Sequence, residues 1–301
     1  MPQGPTSPSE LLIRQQLHTL ARALPAAQKG DAHRLHEARV ATRRLRERLP
    51  LVLPGSSRRK LVRKVRRLSR ALGPARQLDV ALQMLDELSE AGDVPAVAIA
   101  KLRQLLSRER QRLYADMSSE VARIDVDKLR RRAVAAARKA QYVTAAARDG
   151  NVVAAQKRAA RRAVRLRAAI DNAAGLYLPG RLHDVRIAVK KLRYALELVR
   201  ELSGSRAVAT IATLKGAQDL LGRVHDLEVL IGRVRAMQGS SSAANLRLSA
   251  GLDRLVRRLE TECRQLHGHY MALRRKLLTV CERTLTAADT THAKTRESSA
   301  A

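Results

Sequence analysis

Apolar residues recur at three- and four-residue spacing along nearly the whole chain. No stretch alternates β-branched and polar residues between turn signals, so the pattern predicts helices throughout and no strand. Ser7 as N-cap, Pro8 at the first helical position and Glu10 in a capping box start a helix that runs to about Leu24. Asp31 caps the next, which ends around Pro50 to Pro54. A third begins at Ser56 or Ser57 and is stopped by Gly73-Pro74. A fourth runs from about Ala75 to Ala91, a fifth from about Ala96 to Val121 and a sixth over about 126–148. After a break at Asp149-Gly150-Asn151, helices read at about 152–174, 181–202, 206–221, 224–238 and 243–285. Residues 1–8 and the tail 286–301 are small and polar and read as disordered.

The pattern contains a duplication. LHEARVATRRLRERL, residues 35–49, returns as LHDVRIAVKKLRYAL, residues 182–196. LGPARQLDV, residues 72–80, returns in the same order as LGRVHDLEV, residues 221–229. Two collinear matches divide the chain into tandem halves, 9–148 and 149–285. At about 100° per residue, His36, Arg39 and Arg43 share one helix face with Arg46 at its edge, opposite Ala38, Ala41, Leu45 and Leu49. In the second copy His183, Arg186, Lys190 and Arg193 share a face, opposite Val185, Ala188, Leu192, Leu196 and Val199. Arg44 and Lys191 project to the flank.

Charge gives these faces a meaning. The 301 residues hold 59 Lys and Arg against 28 acids, a formal net charge of +31. Repulsion on that scale calls for a polyanionic partner: nucleic acid, an anionic membrane surface or inorganic polyphosphate. Phe and Trp are absent and Tyr numbers five, which fits helices packed through small residues. Cys263 and Cys281 have no metal-ligand or disulfide-framework spacing. The N-terminus does not read as a signal peptide and no uncharged run is long enough to cross a bilayer, so the expected location is cytoplasmic, without membrane insertion. Oligomeric state leaves no mark in the sequence.

Cations one helical turn apart make a ladder about 5 Å in step, suited to a linear polyanion. Arg matches phosphate with a bidentate fork, and a histidine beside phosphate is favoured in its charged form. The third helix repeats the theme, with Arg59, Arg63, Arg66 and Arg70 on one face and Leu61, Val65, Leu68 and Leu72 on another. A basic helix face is ordinarily just solvated. From Arg34 to Arg70, however, Glu37 and Glu47 are the only acids, so the i,i+4 partners of a solvated face are missing. Asp79, Asp226 and Glu228 are expected to cap helix N-termini or orient arginines.

The sequence contains no GxxxxGK[ST] loop and no HExxH, and the His267/His269 pair diverges on a helix, so neither catalysis nor a metal or other cofactor is expected. Single-strand binders place aromatic rings where bases stack, and this chain has few. A nucleic-acid-binding or compacting protein, acting through backbone charge alone, is the competing expectation. The Arg-rich segment 157–167 would serve it.

The pattern HxxRVAxRRLR at His36–Arg46 resembles the first motif of the CHAD domain, the conserved-histidine α-helical domain, and HDVRIAVKKLRYALEL resembles its second. The two LG segments are similar to later motifs, and the resemblance covers roughly residues 9–285. It implies an all-α fold of two tandem four-helix bundles related by a pseudo-twofold axis, with extra long helices. It also implies binding of inorganic polyphosphate in a shared basic groove or pore, and association with polyphosphate granules. The binding positions it implies are His36, Arg39, Arg43, Arg44, Arg46, Arg66 and Arg76 in the first half. In the second they are His183, Arg186, Lys190, Lys191, Arg193, Lys215 and His225. Gln77 departs from the family pattern, which usually places an acid after the arginine; Asp226 keeps it. No ExExK strand of the triphosphate-hydrolysing domain fused to some members is present.

Overall fold

A computed structural model describes residues 8–53, 55–141, 145–173, 175–205, 207–240 and 246–300. Among the described residues all regular structure is helical: α1 (Pro8–Gln28), α2 (Ala32–Val52), α3 (Gly55–Ala91), α4 (Ala96–Ala122), α5 (Val126–Gln141), α6 (Ala145–Asn172), α7 (Pro179–Ser203), α8 (Val208–Ser240) and α9 (Leu246–Ala300). The all-α expectation holds. The Ser7 cap lies outside the described residues.

Local chemistry sets several boundaries. Asp31 caps α2 as expected, its Oδ1 accepting from the backbone N–H of His33 at 2.9 Å and Arg34 at 3.0 Å. Asp125 does the same for α5, accepting from Lys128 N–H at 2.7 Å. α7 opens on Pro179 and closes at Gly204, whose φ of 67° is left-handed and whose N–H returns to the Arg200 carbonyl.

Elsewhere packing overrides the local signals. Gly73-Pro74 does not stop α3, and Gly222 does not divide α8. A proline in a helix interior costs about 3 kcal/mol. Leu68, Leu72 and Leu78 flank it fully buried, and each contributes about 1.5–3 kcal/mol, so continuity wins. Asp149-Gly150-Asn151 lies inside α6 rather than between helices, since one glycine in an Ala-rich run costs only about 1 kcal/mol. α9 continues past 285 to Ala300 where a disordered tail was expected; the segment holds no Gly or Pro to end it.

Among the described residues the helices enclose three cores. The first joins α1, α2, the first half of α3, the end of α4 and α5 around Leu17, Leu45, Leu68 and Leu129. The third joins α6, α7, the first half of α8 and the later part of α9 around Leu166, Val189, Leu221 and Tyr270. The first core draws on residues 13–137 and the third on residues 155–281. Between them lies a core the sequence did not reveal, built from the second halves of α3 and α8 and the first parts of α4 and α9, around Leu85, Leu102, Ile231 and Leu259. The long helices thus serve two cores each.

Candidate functional site

The duplicated helices face each other. α2 and α3 form one wall of a cleft of about 640 Å³, and α7 and α8 form the other. His36, Arg39, Arg43, Arg46, Arg70 and Arg76 line the first wall; Arg186, Lys190, Arg223 and His225 line the second. The lining positions pair across the duplication: Arg39 with Arg186, Arg43 with Lys190, Ser69 with Gln218, Gly73 with Gly222, Arg76 with His225 and Gln77 with Asp226. Gly73 is there for closeness, not for a turn: a Cβ would stand 3.1 Å from Arg39 Nη1.

The acids of the molecule are largely spent elsewhere. Glu47 on α2 accepts from Arg158 at 2.7 Å and Arg162 at 2.6 Å, tying α2 to α6. Arg48 pairs with Glu201 on α7. Arg223 reaches Glu87 at 2.6 Å and Glu262 at 2.8 Å, bracing α8 against α3 and α9. Asp219 and Asp226, both on the second wall, are the carboxylates among the described lining residues.

Uncompensated charge shows in the groove's titration. Burial, then Arg43, Arg76 and Arg186, hold Arg39 down at about 10. Burial, then Arg186, Arg43, Arg39 and Arg46, push Lys190 down to about 8. His225 falls to about 4 through burial, Arg186, His183 and Lys190. Desolvation and then cationic neighbours lower His36 and His183 as well. Asp226 is raised by burial despite its arginines. The Nε atoms of Arg39, Arg43 and Arg44 are buried with no acceptor among the described residues. Such donors cost stability unless something accepts from them.

Not every expected residue reaches the groove. His183 is not among the lining residues; its Nδ1 lies 3.3 Å from Nδ1 of His225, which is. Arg193 is held by Glu197 at 2.6 Å and Gln218 at 3.1 Å, with its guanidinium over the Tyr194 ring. Arg44, Lys191 and Lys215 are not among the lining residues, and the last two are exposed. Arg66 lines a neighbouring cleft. Asp79 does not cap a helix but takes the other expected role of holding an arginine: buried inside α3, it accepts from Arg110 at 2.7 Å and from the Tyr114 hydroxyl at 2.8 Å. Glu228 accepts from the Tyr177 hydroxyl. Of the lining residues missed, Arg70 had a readable signal, one turn after Arg66 on the same basic face. Ser69, Gln218 and Asp219 had none.

Residues 11–235 match the family model of the CHAD domain. The chain belongs to the CHAD domain family. That family is associated with polyphosphate. The fold is similar to the crystal structure of the CHAD domain from the plant Ricinus communis, with a TM-score of 0.60 and 24% identity over 86% of this chain and 90% of that one. It is similar also to PptA from Streptomyces chartreusis, with a TM-score of 0.57 and 16% identity over 93% of this chain and all of that one. No curated protein matches the chain. The CHAD match ends before α9, yet α9 completes two of the three cores. Among the described residues no helix is long and apolar enough to cross a membrane.

Proposed function

We propose that this CHAD protein binds inorganic polyphosphate in the groove between α2/α3 and α7/α8, holds it without chemical change, and acts at polyphosphate granules. The observation that carries this reading is the groove's unbalanced charge: burial first, and then cations from both halves, lower the proton affinity of Arg39 and Lys190, and the buried Nε atoms of Arg39 and Arg43 lack acceptors among the described residues. A linear polyphosphate supplies both needs. Its oxygens accept from Arg39 and Arg43, and its charge offsets the repulsion among Arg39, Arg43, Arg186 and Lys190. No Phe, Trp or Tyr ring lines the groove among the described residues, so a nucleic acid would find phosphate contacts there but only the His36 and His225 imidazoles to stack on.

The test is a calorimetric titration with long-chain polyphosphate at near-physiological salt, repeated in excess duplex DNA and RNA, with the chain length of the recovered polymer then checked on a gel. Saturable binding that survives the competitors, with the polymer uncut, is the expected result. Displacement by nucleic acid at similar phosphate concentration would make the protein a general polyanion binder; shortened polymer would make it an enzyme.

A further inference from the structure

Beside the groove lies a second and larger cleft, of about 900 Å³, between the end of α2 and the first half of α3. Arg58, Arg59, Arg63 and Arg66 line it, and it shares Arg46 and Arg70 with the groove. Its other lining residues are Pro50 and Val62, so no carboxylate faces it among the described residues. Arg59, Arg63, Arg66 and Arg70 follow one another at four-, three- and four-residue steps, a single stripe about 16 Å long on α3. Arg58 closes the outer end by donating to the Pro50 carbonyl at 3.3 Å. Arg67, on another face of the same helix, has its own acid, Glu120, at 3.0 Å. Among the described residues the stripe has none.

The second half does not repeat this feature. Continuing the register that pairs Gly73 with Gly222, Arg59 corresponds to Val208, Arg63 to Ala212 and Arg70 to Asp219, and of the stripe Arg66 alone keeps a cation, Lys215. The groove walls are unequal in the same sense: the described lining residues of the first wall include no acid, while the second carries Asp219 and Asp226. A polyanion crossing the groove therefore meets carboxylates toward one side and an unbroken run of arginines toward the other.

We infer that the α2/α3 cleft is an extension of the binding site that takes the continuing stretch of a long polyphosphate chain, so that the chain leaves the groove on one side only. The inference rests on polyphosphate occupying the groove. Arg46 and Arg70 hand the chain from groove to cleft, and Arg66, Arg63 and Arg59 carry it along α3. Affinity then grows with chain length beyond what the groove can hold. Short chains fill the groove alone and are indifferent to the outer arginines.

The experiment compares tripolyphosphate with long-chain polyphosphate on the full-length protein and two variants. One is the triple Arg58→Gln, Arg59→Gln, Arg63→Gln; the other, of equal charge, is Arg161→Gln, Arg165→Gln, Arg254→Gln, all exposed and outside the lining of cleft and groove. The expected result is that the cleft triple weakens long-chain binding about 10- to 100-fold, leaves tripolyphosphate binding unchanged and lowers the salt slope for the long chain by about 2. Unchanged tripolyphosphate binding also shows that the triple is folded. Equal losses in the two variants, or no loss in the cleft triple, would overturn the extension while leaving the groove reading intact. A wild-type protein that binds neither probe overturns the groove reading, and the extension with it. A cleft triple that loses single-stranded DNA but keeps polyphosphate would make the cleft a nucleic-acid surface, and the extension would again be wrong.

Discussion

Lys190 shows how the groove trades stability for binding. Its ammonium is pushed from the usual 10.5 to about 8 by burial and by Arg186, Arg43, Arg39 and Arg46. In the unfolded chain those pressures vanish, so the native state binds fewer protons between about 8 and 10.5. The destabilisation is therefore complete below about 8 and fades as pH rises toward 10.5. Replacing Lys190 with Met removes the buried charge. The melting temperature at pH 7 should rise by roughly 2–4 °C, a gain that shrinks above pH 8, while polyphosphate affinity falls. Thermal melts across pH, with and without polyphosphate, check both signs. Bound phosphate reverses the pressure on Lys190 and on His225, whose ring is held at about 4, so binding takes up protons and affinity declines as pH rises. At this scale the sequence was informative. His36, Arg39 and Arg43 carried their own helical face, and their counterparts Arg186 and Lys190 did the same. Arg193 was misplaced because Glu197, its i,i+4 partner, competes for it.

The elements were legible where local signals and packing agree, as at Asp31 before α2. They were misread at Gly73-Pro74, Asp149-Gly150-Asn151 and Gly222, where breaker residues sit in helices whose neighbours are buried or strongly helical. Glycine at 73 and 222 lines the groove, a role that turn chemistry does not reveal. Position among elements also explains Glu47. Its carboxylate, on the flank of α2, meets Arg158 and Arg162 of α6, all three side chains less than a quarter exposed. Glu47→Gln leaves two guanidiniums crowded without a counter-charge, so the variant should lose about 2–4 kcal/mol in denaturant unfolding. A loss below about 0.5 kcal/mol would mean that α2 and α6 are held by other contacts. The Arg-rich segment 157–167, which looked free to lie along a duplex, is partly committed to this joint through Arg158 and Arg162.

Over the whole molecule, the duplication was visible in the sequence but its consequence was not. Periodicity shows that α3, α4, α8 and α9 have apolar faces; it does not show that their far ends meet in a shared middle core. That core holds the two halves together and brings their basic faces onto one groove. The central claim is that one polyphosphate chain engages both walls at once. Its most direct test is a polyphosphate titration of Arg39→Ala/Arg43→Ala and of Arg186→Ala/Lys190→Ala, beside the exposed, non-lining triple at Arg161, Arg165 and Arg254. Two charge-assisted hydrogen bonds lost from either wall should weaken binding about 100-fold or more, and by similar factors for the two walls. The non-lining triple should change affinity less than about threefold. Equal, modest losses in all three variants would contradict the account and leave diffuse positive charge as the whole basis of binding.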